Sequence, residues 1–418
     1  MKKKAIAEQS WILYDAGNSA FVLVMVTAIM PLFFKQYAAA DLPDAVSTAN
    51  WGFANSTASF ILAMLSPILG SLADYKQRKV SFFAFFLCIG LFFTFCLALI
   101  TQGQWLLCLG LFVAARVGWA GANVFYDALL VDVSPPERMD RVSARGYGYG
   151  YIGSVIPFIA VIGLVLSAGL QGSTLPPDEV KIGFVIVGVW WLLLSIPTLC
   201  TVRQVHALPA PDSPLKESFS RLYQTIKHIR QHRQVFIFLL AYFFYIDGVG
   251  TIISMSTAYG YDLGFDSTLL IAVLLYIQVV AFPFALLYGK LAAHFSARNM
   301  LLAGIAVYSL VTLLAFFLPS LAGHGSQVTL FWIIATMVAS SMGGIQALSR
   351  SYFAKLIPAD QSAEFFGFYN VFGKFAAISG PLLMGIVARL TGETRWGILS
   401  ILLLFVLGGF ILYQTDKQ

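Results

Sequence analysis

The sequence predicts an all-α integral membrane protein, twelve transmembrane helices in two six-helix bundles, and three observations lead there. First, 59% of the 418 residues are hydrophobic and 11% are charged, where a soluble domain carries roughly 25% charged residues. Second, the mean hydropathy of +0.80 excludes a disordered chain, which combines low hydrophobicity with high net charge. Third, apolar runs of about 18 residues or more, the length that spans a bilayer as helix, recur twelve times, with Lys and Arg gathered in the gaps.

The runs are 11–37, 50–73, 80–100, 105–131, 143–168, 182–203, 234–257, 267–289, 299–318, 328–352, 363–388 and 396–413. The first follows Lys2, Lys3 and Lys4 and precedes the small residues Ala38, Ala39 and Ala40, a pattern shared with cleaved signal peptides. It is about twice as long as a signal-peptide core and carries Asp15, so it is read as a membrane helix. With both termini on the cytoplasmic side, 20 Lys and Arg fall on inner segments and four (Lys35, Lys181, Arg389 and Arg395) on outer ones. That asymmetry fixes the orientation in an inner or plasma membrane and argues against an odd number of spans. The net charge of +6 therefore reports membrane orientation, and no nucleic-acid partner is expected. Cys88, Cys96, Cys108 and Cys200 lie inside apolar runs without a CxxC spacing; they read as small core residues, with neither disulfide nor metal site.

One long gap, 204–233, lies near the midpoint, so the domains read as 1–203, a cytosolic linker 204–233, and 234–418. Within the linker Ser213 is placed to cap a helix with Pro214 at its first position. Leu215, Phe219, Leu222, Ile226 and Ile229 form its apolar stripe, with Lys216, Arg221, Lys227 and Arg230 off it. Two readings stay open: a helix on the inner membrane surface, or one packed against the undersides of neighbouring helices. Internal similarity supports two halves. GSLADYKQRK from Gly70 recurs as GKLAAHFSAR from Gly289, and Ser143-Ala144 enters span 5 as Ser362-Ala363 enters span 11. Such repeats are how two-bundle transporters are built.

The loop from Gly70 resembles the inter-helix pattern G-x-L-A-D-[RK]-x-G-R-[RK] of the major facilitator superfamily. Gly70, Leu72, Ala73, Asp74, Arg78 and Lys79 match, while Tyr75 and Gln77 depart from it. More narrowly, Trp11-Ile12-Leu13-Tyr14-Asp15-Ala16-Gly17-Asn18, Asn123-Val124-Phe125-Tyr126-Asp127, Gln346-Ala347-Leu348-Ser349-Arg350 and Glu364-Phe365-Phe366-Gly367 resemble the branch of autophagy-related vacuolar amino-acid effluxers and their bacterial relatives. The resemblance implies the major facilitator fold, with helices 1, 4, 7 and 10 lining the substrate path, and amino-acid efflux by analogy.

A charged side chain at a membrane helix centre costs about 2.5–3.5 kcal/mol on insertion scales, so it normally faces a cavity or a partner. Five lie inside the runs: Asp15, Arg116, Asp127, Asp247 and Lys374. Arg116, Ala120, Asn123 and Asp127 share one helical face by their spacing, and the resemblance links a span-4 arginine to proton coupling. For Arg116 the alternative is a structural ion pair with an acid on span 1 or 2. Asp15, about 6 Å from the start of its run, reads as interfacial or functional. Asp247 and Lys374, at comparable depths, are candidate partners of each other or of the charged ends of a zwitterionic solute. Asp15, Asn18, Arg116, Asn123, Asp127, Asp247 and Lys374 are thus the expected substrate and coupling residues. Asp74, Arg78, Lys79 and Arg350 are the expected gating residues, with a plain orientation signal as the alternative for the loop. The glycines from Gly146 to Gly153 read mainly as a packing face, and the 36 phenylalanines as lipid-facing bulk.

These features predict a secondary active transporter of a small polar solute, an amino acid or peptide-like compound, acting by alternating access, proton-coupled or coupled to another ion, and functional as a monomer in the bilayer. The rivals are a drug or metal-chelate exporter of the same fold and, from other classes, a membrane enzyme or a channel. No Walker-type loop is present, the five histidines lie in loops or at span ends, and no catalytic residue, cofactor or metal is expected.

Overall fold

The computed structural model describes residues 2–169, 175–209, 213–227, 232–321 and 323–415. His228, Ile229, Arg230 and Lys417 lie outside the described residues, as do the side chains of Lys2, Lys3, Leu215, Ile226 and His324. Among the described residues, twelve helices are long and apolar enough to cross a membrane. They are α1 (Lys2–Ala20), α2 (Asp44–Ala73), α3 (Arg78–Leu97), α4 (Trp105–Ala128), α5 (Pro136–Ala168), α6 (Pro177–Thr201), α7 (Arg233–Asp262), α8 (Ser267–Phe295), α9 (Ala297–Phe317), α10 (His324–Leu356), α11 (Ser362–Thr391) and α12 (Thr394–Tyr413).

Several helices begin earlier than their apolar runs because a helix continues into water after its hydrophobic stretch has ended. Polar first turns are stabilised there by their own chemistry. Pro136 and Pro177 occupy first-turn positions that need no N–H donor, followed by Glu137 and by Asp178 and Glu179 at the positive end of the helix. Asp266 caps α8 by accepting from the Leu269 N–H at 2.6 Å. α1 starts at Lys2 rather than at residue 11, which puts Asp15 13 residues, about 20 Å, along its axis. Its side chain is buried. Beyond Ala20 the same rod widens into π-helix over Phe21–Ala28 and again over Phe34–Ala38, with Met30–Phe33 between them. Pro31 supplies the local cause, since it cannot donate and its ring displaces the carbonyl one turn earlier.

The described residues form two contact units. The first holds Met1–Pro135, Tyr149–Leu222 and Ala359–Phe368; the second holds Pro136–Gly148, Tyr223–Pro358 and Tyr369–Gln418. Each unit is built from the same four pairings. In the first, α3 packs on α4, α1 on α6, α2 on α4 and α3 on α6; in the second, α9 packs on α10, α7 on α12, α8 on α10 and α9 on α12. The six-helix offset is the internal repeat seen in the sequence, realised as contacts.

Lipid tails are as apolar as the side chains, so close packing rather than water exclusion holds membrane helices together. Gly153 on α5 illustrates it: a Cβ there would lie 2.6 Å from the Ala16 Cβ of α1, which agrees with the packing reading of the glycine run. Aromatic stacking adds to this, with Trp11 on Tyr126 at 4.4 Å between centroids. Two expectations are corrected. Cys88 and Cys200 are exposed on outer helix faces and only Cys108 is fully buried. Phenylalanine divides between outward residues such as Phe53, Phe92 and Phe410 and core residues such as Phe83, Phe112 and Phe405.

Candidate functional site

In the first unit the polar residues converge on Asn18. Its amide donates to the Tyr14 carbonyl and to Asp15 Oδ1, both at 3.2 Å, which fixes the carboxylate against its own helix. Its side-chain oxygen accepts from Trp119 Nε1 at 3.1 Å and from Asn123 Nδ2 at 3.4 Å. Asp15, Asn18, Trp119 and Asn123 thus form one hydrogen-bonded group across α1 and α4, with Phe21 stacked on Trp119 at 5.9 Å. Asp127 is half-buried, and both carboxylates stand close to Tyr14.

The stripe predicted on α4 divides between two neighbours. Asn123 turns to α1, whereas Arg116 donates to Asn55 Oδ1 on α2. The alternative of an ion pair with an acid on span 1 or 2 is not what forms: Arg116 bonds a neutral amide, and among the described residues this guanidinium makes no ion pair.

In the second unit, Asp247 on α7 is completely buried. It accepts from the Ser379 hydroxyl and from the Gly380 N–H at 2.8 Å, both on α11. Lys374, two turns earlier on α11, is half-buried and is not among the Asp247 partners, so the expected pairing of the two gives way to neutral donors.

The expected gating residues form two compact networks. Asp74 is fully buried and accepts the N–H groups of Ala363 at 2.8 Å and Glu364 at 3.0 Å. It thereby satisfies two of the orphan donors in the first turn of α11. Gly70 permits the approach, since a Cβ there would meet the Ala363 carbonyl oxygen at 2.2 Å. Arg221, on the linker helix Pro214–Lys227, binds Glu364 at 2.6 Å, the Ser71 carbonyl at 2.6 Å and Asp74 at 3.5 Å. Lys79 is buried between Asp132 at 2.9 Å and the Ser362 hydroxyl at 2.7 Å. Burial pushes Asp74 from the ordinary 3.8 up to about 7, against the opposing pull of Lys79, the two backbone N–H groups and Arg221. Arg78 bonds none of these and lies over the Tyr75 ring at 5.8 Å; the Arg221 guanidinium lies 5.3 Å from the same ring. Where the loop pattern has a cation after the aspartate, this chain has Tyr75, and the linker helix delivers the cation instead.

In the second unit Arg350 donates to the Ser143 hydroxyl at 2.9 Å and the Ser143 carbonyl at 3.1 Å, and stacks over Tyr147 at 4.4 Å. Beside it Asp140 accepts from Ser351 at 2.7 Å and pairs with Lys355 at 2.6 Å. Sequence reasoning placed Arg350 among the gating residues and missed Asp132, Asp140 and the role of Arg221. Asp132 lies in the short helix Leu130–Val133, Asp140 near the start of α5 and Arg221 midway along the linker helix, outside the apolar runs where a charge demands an explanation, so nothing in their spacing marked them. Of the linker stripe, Leu222 is buried as expected and Phe219 is exposed against expectation, with Ser218 and Thr225 buried in its place, so the helix is a packed element. Among the described residues no group of three or more His, Cys, Asp or Glu could hold a metal ion.

The chain is similar to known proteins across its length. It matches the vacuole effluxer Atg22-like family over residues 47–134 and 131–418. It is 50% identical, over 100% of its length and 96% of the other, to the uncharacterized MFS-type transporter YxiO of Bacillus subtilis (strain 168). Autophagy-related protein 22 of Saccharomyces cerevisiae (strain YJM789) is 22% identical over 100% of this chain and 93% of that one. Of its Coccidioides immitis (strain RS) counterpart the chain spans about half, 53%, at 27% identity. Among solved structures, the proton:xylose symporter XylE gives a TM-score of 0.73 at 12% identity, covering 99% of this chain and 94% of that one. A bacterial homologue of the iron transporter ferroportin in an outward-facing state gives 0.70 at 14% identity, covering 99% of each. Those likenesses show the fold, and the fold is that of transporters. By sequence the chain belongs to the vacuole effluxer Atg22-like family, a multi-pass membrane branch of the major facilitator superfamily.

Proposed function

We propose that this transporter moves a small polar solute by proton-coupled alternating access, with both termini in the cytoplasm of an inner or plasma membrane. The observation that carries the reading is the group on Asn18. A carboxylate, two amides and an indole N–H converge on one face of a unit otherwise packed with apolar side chains. Polar groups this far inside a membrane bundle are costly unless a ligand or ion uses them. Asp15 suits the ammonium end of a solute, and Arg116, held only by a neutral amide, suits a carboxylate. Arg116 stands two helical turns, about 10 Å, from Asn123. That span fits the ends of a short peptide-like solute better than those of a single amino acid. Asp127, in the same unit as Asp15 and Arg116, is assigned the coupling proton; Lys374 is kept as a solute contact of the second unit.

Counterflow in proteoliposomes tests this with labelled amino acids and short peptides. A carrier gives saturable exchange, and Asn18→Ala or Arg116→Gln should lower it at least about tenfold, given about 1.5–3 kcal/mol for a hydrogen bond to a charged group. Asp127→Asn should keep exchange and lose accumulation driven by an imposed pH difference. Unsaturable flux would replace the carrier with a channel, and full accumulation in the Asp127 variant would remove it from coupling.

A further inference from the structure

Asp247 stands where the repeat in the first unit has an alanine. Trp11, Tyr14 and Gly17 of α1 recur at identical spacing as Tyr242, Tyr245 and Gly248 of α7, which aligns Asp247 with Ala16. Ala16 packs on Gly153 of α5 through its methyl group. Asp247 meets Gly380 of α11 in the same manner, but with a carboxylate. A small apolar residue satisfies the helix contact in the first unit, so packing does not account for the acid in the second.

The surroundings of that acid are all neutral oxygen and amide. Its two partners, Ser379 and Gly380, carry no charge, and a completely buried carboxyl with no cation beside it either keeps its proton or takes a counter-ion. Thr251, one turn further along α7, is 1% exposed. Its hydroxyl has no hydrogen-bond partner among the described residues. A Cβ on Gly380 would lie 2.0 Å from Thr251 Oγ1 and 2.5 Å from Asp247 Oδ1, so both oxygens converge over the bare Gly380 Cα. Pro381 follows inside α11 and brings no N–H, which leaves a backbone carbonyl one turn earlier without its helical donor. The convergent groups are therefore two carboxylate oxygens and two hydroxyls, with no nitrogen or sulfur ligand among them. Hard oxygen donors select alkali or alkaline-earth cations, and one carboxylate balances a single positive charge.

We propose that Asp247, Thr251 and Ser379, converging over Gly380, form a sodium-ion site inside the second unit. The site deepens the transport reading by adding a second driving ion, and it rests on that reading only for its use, not for its occupancy.

Binding is measured on the purified full-length protein in detergent, without solute. Thermal unfolding is followed in sodium, potassium and choline chloride at equal ionic strength, at pH 6 and pH 8, together with equilibrium dialysis of radioactive sodium. Sodium should raise Tm saturably, and potassium and choline should not. Thr251→Val, which removes the hydroxyl at nearly constant volume, should weaken half-saturation about 10- to 100-fold. Asp247→Asn should abolish the response, and Thr94→Val, a buried hydroxyl of the first unit, should leave it intact. If Asp247→Asn does not fold, the Thr251 variant decides alone. Equal responses to the three salts overturn the site. A stabilisation produced by acid alone and lost with Asp247→Asn also overturns it and makes a proton the occupant. Because no solute enters the measurement, its failure leaves the carrier reading standing, and failed counterflow leaves the ion site standing.

Discussion

Asp74 couples a helix cap to pH. A free aspartate titrates near 3.8 and this one near 7, so the capped arrangement holds its proton more tightly than an uncapped chain does. Its contribution is then full below about pH 4 and is lost as pH rises through about 7. Spin labels at Lys76 and Asp360 should report a short distance that lengthens as the pH is raised from 6 to 8. Asp74→Asn, a neutral side chain of the same shape as the protonated carboxyl, should keep it short at all pH values and remove the pH dependence. A distance distribution unchanged by pH in the parent would reduce the loop to an orientation signal. Gln77 carries a second residue-scale consequence. It adopts φ +65 at the position where the loop pattern has glycine, and Ser296, its counterpart in the repeated loop, adopts φ +67. A left-handed conformation costs a non-glycine residue about 1–2 kcal/mol, so Gln77→Gly should raise Tm measurably in a thermal melt. The motif made Asp74 and the odd residue at 77 legible in the sequence. It could not reveal that the missing cation at Tyr75 is supplied by Arg221, about 150 positions along the chain, because partners that distant are set by packing alone.

Among the elements, the linker helix departs furthest from its sequence pattern. Its cap and first residue were readable from Ser213 and Pro214, since these act locally. Its buried face was not, because amphipathicity reports contrast between faces and here the contact face is itself polar, built from Ser218, Arg221 and Thr225. Arg221→Ala should be among the more damaging linker changes. It leaves Glu364 fully buried without its cation, a loss of about 3 kcal/mol for one partner of a buried pair, whereas Phe219→Ala on the exposed face should change little. Chemical denaturation of the two variants in detergent compares them directly; equal stabilities would mean that the linker helix is detached in solution. The twelve spans were readable for the opposite reason: hydrocarbon length imposes one pattern on each of them, whatever their neighbours.

For the whole molecule, the proposed orientation rests on the 20 to 4 partition of basic residues, and the structure refines the positions for testing it. Ser47 is 1% exposed and Gly103 and Gly264 have φ of +80, so cysteines there would be shielded or strained. Thr48, Gln102 and Tyr261 are exposed and should label from outside as single cysteines, while Lys76 and Gln224 should not. External labelling at Gln224 would invert the orientation. The repeat announced two halves correctly at the level of helix pairings. It did not announce that Pro136–Gly148 and Ala359–Phe368 each join the contact unit of the opposite half, because membership of a unit is decided by partners and not by position in the chain.

That exchange has a consequence for synthesis. A ribosome releases residues 1–222 long before residues 359–368, and until the later segment emerges Asp74 lacks the Ala363 and Glu364 donors and Lys79 lacks Ser362. Domains generally fold as units in the order they are made, yet the first unit here must wait through most of the second. A nascent chain stalled before Ala359 should therefore carry an open, acid- and base-lined inner end that a quality-control protease can recognise, and the same chain extended past Phe368 should close it.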